Sequence, residues 1–268
     1  MSEAMVAAEP VVVSEIRDGA LWLRLNRPEA MNSLIPAVLD GIEEGLDRVE
    51  HDPDVKAVVL TGTGRAFCAG ADLKFVRSQV GEDPANMRGF LDQVIGTLNR
   101  LEAFPRPVIA AVNGMALAGG LELVLCCDLV IAARSAKLGD AHANYGLLPG
   151  GGSSVRLPRK IGPTRAKYML YTGEFIPAEQ LVDCGLVNEV VDDDDLIPAA
   201  ERLIAKLAVK SSLVLRRMKA LVDDGLEQPS DTALRLELLA SELHATSHDM
   251  SEGLTAFQEK RKPRFIGR

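Results

Sequence analysis

Apolar residues recur along the chain with two periods. Val11-Val12-Val13-Ser14-Glu15-Ile16 and Ala20-Leu21-Trp22-Leu23-Arg24-Leu25 alternate apolar and polar positions on either side of Arg17-Asp18-Gly19, which predicts a hairpin. Between residues 35 and 49, Val38, Leu39, Ile42, Leu46 and Val49 take a helical spacing, and residues 55–61 return to a strand. Strand, helix, strand in that order predicts a parallel pair, because parallel neighbours need a crossover connection. Residues 83–103 predict a second amphipathic helix, and 107–112 and 129–133 two more buried strands.

Glycine-rich stretches at 62–74, 113–120 and 149–152 read as loops, and residues 121–127 as a short helix. Further on, 154–161, 164–171 and 178–184 look helical, 186–190 forms a short strand, and Asp192-Asp193-Asp194-Asp195 reads as a solvated acidic turn. The remainder is all helix, over 197–209, 211–224, 232–244 and 251–260. The expected fold class is α/β, with a core over residues 1–196 and a helical module over 197–268. Leu234, Leu238, Leu239 and Leu243 share one face of that module, to be buried on the core or on a neighbouring subunit.

At 47% hydrophobic, the 268 residues support one large core, and aromatic content of only 4% makes it aliphatic. A formal charge of −8 argues against nucleic-acid or anionic-membrane binding, so an anionic ligand needs a local basic patch. Lys260-Arg261-Lys262-Pro263-Arg264 is the densest one. The four cysteines make no CxxC pair and there are four histidines, so reduced thiols in a cytoplasmic protein without a metal site are expected. Residues 1–10 lack the apolar run of a secretory leader, and no stretch reaches the roughly 18 apolar residues of a membrane span.

The chemistry concentrates between residues 108 and 152. A buried strand runs through Asn113-Gly114-Met115-Ala116-Leu117-Ala118-Gly119-Gly120 into a helix start. The first N–H groups of a helix have no partner inside it, so Gly119 and Gly120 can offer donors to a developing oxyanion, with Glu122 one turn on as acid or base. The plainer alternative is that the glycines only permit tight packing and Glu122 complements the helix dipole. The 62–74 loop lacks the Gly-Lys-Ser/Thr end of a nucleotide P-loop. Ligands in open α/β sheets bind beyond the carboxyl ends of parallel strands, so this loop and the one opened by Asn113 are expected to face one crevice.

Four segments carry a resemblance: Asn26-Arg27-Pro28-Glu29-Ala30-Met31-Asn32, Phe67-Cys68-Ala69-Gly70-Ala71-Asp72-Leu73, the stretch from Asn113 to Leu123, and Ala256-Phe257-Gln258-Glu259-Lys260-Arg261. In this order they resemble the crotonase superfamily, the enoyl-CoA hydratase/isomerase group. The resemblance implies a core of repeated ββα units, a coenzyme A thioester as substrate with no further cofactor, and trimers paired into hexamers through the helical tail. It implies an oxyanion hole from the N–H groups of Ala71 and Gly119, and a pair of glutamates that hold and activate water. The first corresponds to Glu122; the second falls on His142, where the family has an acid. Coenzyme A contacts are implied for Arg27, Ala69, Asp72 and Lys74, and for Phe257 and Lys260 from the tail, either of the same subunit or of an adjacent one.

Read from the residues, His142 can serve as acid or base beside Glu122 or merely fill space. Asp140 could orient His142, but as a neighbour in sequence on an extended segment it is expected to point the other way. Asp72 is expected to cap the following helix and Cys68 to pack rather than to attack. The leading expectation is reversible addition of water to a trans-2-enoyl-CoA. The alternatives are an isomerase, a hydrolase of acyl-CoA or β-dicarbonyl substrates, and a non-catalytic acyl-CoA binder.

Overall fold

A computed structural model describes residues 9–268. Residues 1–8, most of the segment without a leader signature, lie outside the described residues. The opening hairpin forms from β1 (Val12–Arg17) and β2 (Ala20–Leu25), antiparallel, with Val12 opposite Leu25. Helix α1 (Pro36–Val49) buries Val38, Leu39, Ile42, Leu46 and Val49, the stripe its periodicity predicts, and carries the chain to β3 (Ala57–Gly62), parallel to β2.

From here each core strand is followed by a short second one. β3 leads to β4 (Ala66–Cys68), β5 (Val108–Val112) to β6 (Met115–Leu117), and β7 (Leu129–Ala133) to β8 (Lys137–Gly139). With β9 (Ile176–Pro177) and β10 (Glu189–Val191), the first members form a six-stranded sheet in the order β1-β2-β3-β5-β7-β10 and the second members a four-stranded sheet in the order β4-β6-β8-β9. Every pairing in the large sheet except β1 with β2 is parallel. Helices close the repeats: α2 (Leu73–Glu82), α3 (Pro84–Glu102) and α4 (Gly119–Leu125), then α5 (Ser153–Ile161) and α6 (Pro163–Thr172). The repeated ββα architecture is therefore present.

Three local expectations change. The loops expected at 62–74 and 113–120 each contain a strand, and β8 follows β7 where none was read. Strands of three residues are too short to show a period, and Gly114 turns so tightly that a Cβ would lie 2.2 Å from the Arg65 carbonyl oxygen. The helix expected over 178–184 is only a 3-10 turn, Ala178–Leu181, and the strand after it forms later, at Glu189–Val191, where it pairs with β7. The acidic run is engaged rather than merely solvated: Asp192 pairs with Arg134, Asp193 accepts from the Ser135 N–H, and Asp195 pairs with Arg202.

Helix α7 (Leu196–Ala208) packs on β3, β5 and β7 and buries Leu196, Ala199, Ala200 and Ile204. Helices α8 (Ser212–Leu226), α9 (Ser230–His244) and α10 (His248–Gln258) stand off the sheet. α9 buries no residue and leaves Leu234, Leu238, Leu239 and Leu243 each at least 60% exposed. Among the described residues no helix is long and apolar enough to cross a membrane.

Candidate active site

Two side-chain amides, one buried and one half-buried, fix the ends of the loops. Asn32, fully buried, accepts from the Arg27 N–H and donates to the carbonyls of Thr63 and Ala66. Asn113 accepts from the Gly62 N–H and donates to Gly64 and Ala66. Both lie inside the segments that carry the resemblance, but their bracing of the β3–β4 connection was not read from them. Polar side chains buried beside a glycine-rich loop were the signal, because such groups are almost always spent on backbone.

The loop beyond β4 is tied by the Leu34 N–H to the Gly70 carbonyl at 2.8 Å and by the Asp72 N–H to the Leu34 carbonyl at 2.9 Å. These bonds flank Ala71 and leave its own N–H without an acceptor among the described residues. Gly119 is the first residue of α4, so its N–H has none inside the helix. The two loops touch: a Cβ on Gly119 would lie 3.5 Å from the Ala71 nitrogen, and one on Gly70 would lie 3.2 Å from the Gly119 nitrogen. Two unspent peptide donors from distant segments thus sit side by side, the requirement for an oxyanion hole. Gly120 has the other role weighed for the pair: a Cβ there would fall 2.0 Å from the Cys68 carbonyl oxygen, so it permits close packing of α4 on β4. Ala118, before them, adopts φ 49° and ψ −116°, a conformation an L-residue holds only under constraint.

Glu122 is 2% exposed. Its Oε1 accepts the N–H of Gly151 at 2.8 Å and of Ser153 at 3.0 Å, and Oε2 accepts no bond among the described residues. The glycine run read only as a loop is thus the cradle of the acid, and a Cβ on Gly151 would lie 2.5 Å from Oε2. Burial raises the Glu122 carboxyl above its ordinary value; the Ser153 N–H, the charge of His142 and the Gly151 N–H oppose it, and Asp140 adds to it. The net direction, which no pattern could supply, is upward.

His142 opens a 3-10 turn, His142–Tyr145, and is close enough to Glu122 for each to act on the other's charge. Its Nδ1 lies 3.0 Å from Asp140 Oδ1. The expectation that Asp140 points away is therefore corrected: Asp140 and His142 are two residues apart, a spacing that an extended segment already places on one face, and they stay together across Ala141, which is left-handed with φ 60°. Burial would lower the imidazole's pKa, but the Asp140 bond and the charges of Asp140 and Glu122 outweigh it and raise it. Burial pushes the Cys68 thiol up to about 12, so it is no nucleophile.

The residues expected at the coenzyme divide into two groups. Arg27 donates to the Ser33 carbonyl at 2.6 Å and to Asp72 Oδ2 at 3.2 Å, and Asp72 Oδ1 caps α2 by accepting from Lys74 and Phe75. Ala69 is anchored by its N–H on the Met31 carbonyl, and Lys74 stands exposed on the first turn of α2. These four adjoin the oxyanion loop. Phe257, 84% exposed, and Lys260 lie on the tail, and no side-chain hydrogen bond or ion pair among the described residues joins them to that loop. Of the basic run, Arg261 is paired with Glu252 and Glu259, while Lys262 and Arg264 line a groove with Lys56, which precedes β3 at the end of the sheet away from the β3–β4 loop.

The enoyl-CoA hydratase/isomerase family model matches residues 15–268. The chain belongs to this family. It is 40% identical over 258 residues to the crotonyl-CoA hydratase of Syntrophomonas wolfei, covering 96% of this chain and 98% of that one. It is 38% identical over 259 residues to the 1,2-epoxyphenylacetyl-CoA isomerase of Escherichia coli, with the same coverage. Among solved structures, the enoyl-CoA hydratase of Bacillus anthracis superimposes with a TM-score of 0.91 at 37% identity, covering 96% of this chain and 100% of that one. Membership of the enoyl-CoA hydratase/isomerase family gives this chain an acyl-CoA substrate and the ββα core described above.

Proposed function

We propose that this family member adds water reversibly to a trans-2-enoyl-CoA, with the thioester oxygen held by the N–H groups of Ala71 and Gly119. As water attacks Cβ the thioester becomes enolate-like, and two aimed donors stabilise that charge by about 3 kcal/mol each. Glu122 takes the proton of the attacking water, and His142 is the second acid/base. The observation that carries this reading is the state of Glu122: a buried carboxylate with one oxygen fixed by two N–H donors and the other unspent, beside paired free peptide donors. A passive acyl-CoA carrier has no use for a buried acid of raised pKa.

Glu122→Gln keeps an oxygen for Gly151 and Ser153 but cannot accept a proton from water. With crotonyl-CoA it should lose turnover by about 10²–10⁴-fold, followed by the decay of enoyl absorbance, while acyl-CoA binding stays near wild type. Unchanged turnover ends the assignment. The second reading, isomerisation on the same site, is favoured by the isomerase relative and by His142 at the second position. Mass analysis separates the two, since hydration adds one water and isomerisation adds nothing.

The exposed leucine face of α9 and the outlying Phe257 and Lys260 support a trimer or a hexamer of paired trimers, in which a neighbour's tail completes the coenzyme site. Four free thiols support a reducing, cytoplasmic setting.

A further inference from the structure

Asp140 is a buried carboxyl at the site to which the reading above gives no work. It is 1% exposed, its Oδ1 meets His142 Nδ1 at 3.0 Å, and its Oδ2 has no hydrogen-bond partner among the described residues. No lysine or arginine among the described residues lies within ion-pair distance of it. A buried carboxylate accepting a single bond is costly unless a cation lies against it, and among the described residues the group placed to be that cation is the imidazole.

We propose that Asp140 is a positioning residue that holds His142 as an imidazolium through Nδ1–H, so that the second group of this site is a cationic acid presenting Nε2–H, not the second carboxylate the family pattern would have. The charged groups acting on His142 are Asp140, from the end of β8, and Glu122, from α4; both are anionic and both favour the protonated ring. α6, also packed on this turn, meets it through the Asn144 amide on the Gly173 carbonyl.

The step this serves rests on the hydratase reading. The water oxygen bonds to Cβ while its proton passes to Glu122, the Cα=Cβ electrons move into the thioester enolate, and the Nε2 proton of His142 goes to Cα. One water is added, and transfer of the proton from Glu122 to His142 restores the starting state. Two carboxylates must keep one member neutral in order to donate; a carboxylate and an imidazolium need not.

Histidine-selective isotope labelling and NMR titration of the ligand-free enzyme test the dyad without any turnover, the His142 signal being assigned by its loss in His142→Gln. His142 should titrate above the ordinary 6.5 of the side chain, and Asp140→Asn should move that titration down by about one pH unit or more. In the pH profile of crotonyl-CoA hydration, the alkaline limb should move down with it, and kcat at pH 8 should fall about ten- to a hundredfold with KM within about twofold. Asp140→Glu should restore part of the loss, and Asp140→Asn should cost nothing more in the His142→Gln background. A wild-type titration at or below 6.5 overturns the proposal even if Asp140→Asn does not fold, as does an unmoved titration or an equal loss in the His142→Gln background. An active Glu122→Gln enzyme would refute the hydratase reading and leave these NMR results standing.

Discussion

Burial sets the Glu122 carboxyl above its ordinary 4.5, so ionising it costs the fold stability. The sign follows from linkage: a carboxyl whose folded pKa is raised binds its proton more tightly folded than unfolded, and stability declines as pH rises from the unfolded to the folded value. Glu122→Gln should therefore have a higher urea midpoint than wild type above that window, and the gap should close as the pH falls below 4.5. Its companion expectation is kinetic: the acid limb of the hydration rate should lie above 4.5, where Glu122 gains its proton and ceases to act as base. At Ala118 the positive φ predicts that Ala118→Gly relieves strain worth about 1 kcal/mol in thermal unfolding, whereas Ala118→Val, β-branched at that angle, destabilises. Single residues of this kind are where sequence reading was weakest. Glu122 was legible because a glycine pair and a helix start announced it, but Asp140 was misjudged as an out-of-phase neighbour of His142, although a spacing of two on an extended segment favours one face.

Among elements, periodicity carried α1 and the tail helices almost to their ends, since about three or more turns repeat a face often enough to be read. β4, β6 and β8, at three residues each, repeat nothing, and they exist because the second sheet pairs them, not because their own sequence demands it. The loops between them hold the candidate site, so the fold class was legible while the scaffold of the proposed oxyanion hole was not. Gly151 shows how an element end governs chemistry: Gly151→Ala puts a methyl against Glu122 Oε2 and Leu98, and should cut kcat at least about a hundredfold while acyl-CoA binding persists. At the other end of the chain, α10 is moored through buried Asp249, which accepts from Ser211, Ile266 and Gly267. Burial would raise this carboxyl, but the Ser211 hydroxyl and the two N–H groups bring it below its usual range. A depressed carboxyl stabilises above its unfolded pKa and loses that contribution as pH falls, so α10 should loosen first under acid, seen as hydrogen exchange across residues 248–258.

For the molecule as a whole, a core that buries most of the aliphatic residues of the sheets and of the helices packed on them gives way to helices whose leucines face outward. That contrast predicts an assembly. Leu238→Glu with Leu239→Glu should shift the mass in sedimentation equilibrium from a trimer or hexamer to a monomer, with the core fold retained by circular dichroism. If a neighbour's tail completes the coenzyme site, mixed assemblies of Glu122→Gln and Lys260→Ala chains should regain activity that neither has alone. The proposed function rests on two peptide donors converging on one thioester oxygen, with Glu122 and His142 over the adjacent carbons. A crystal structure with a slowly reacting acyl-CoA analogue tests it most directly. The thioester oxygen should lie within about 2.7–3.1 Å of both the Ala71 and Gly119 nitrogens, with Glu122 Oε2 and His142 Nε2 facing Cβ and Cα. A thioester oxygen bound elsewhere, or an acyl chain that leaves Glu122 on its far side, would contradict the account.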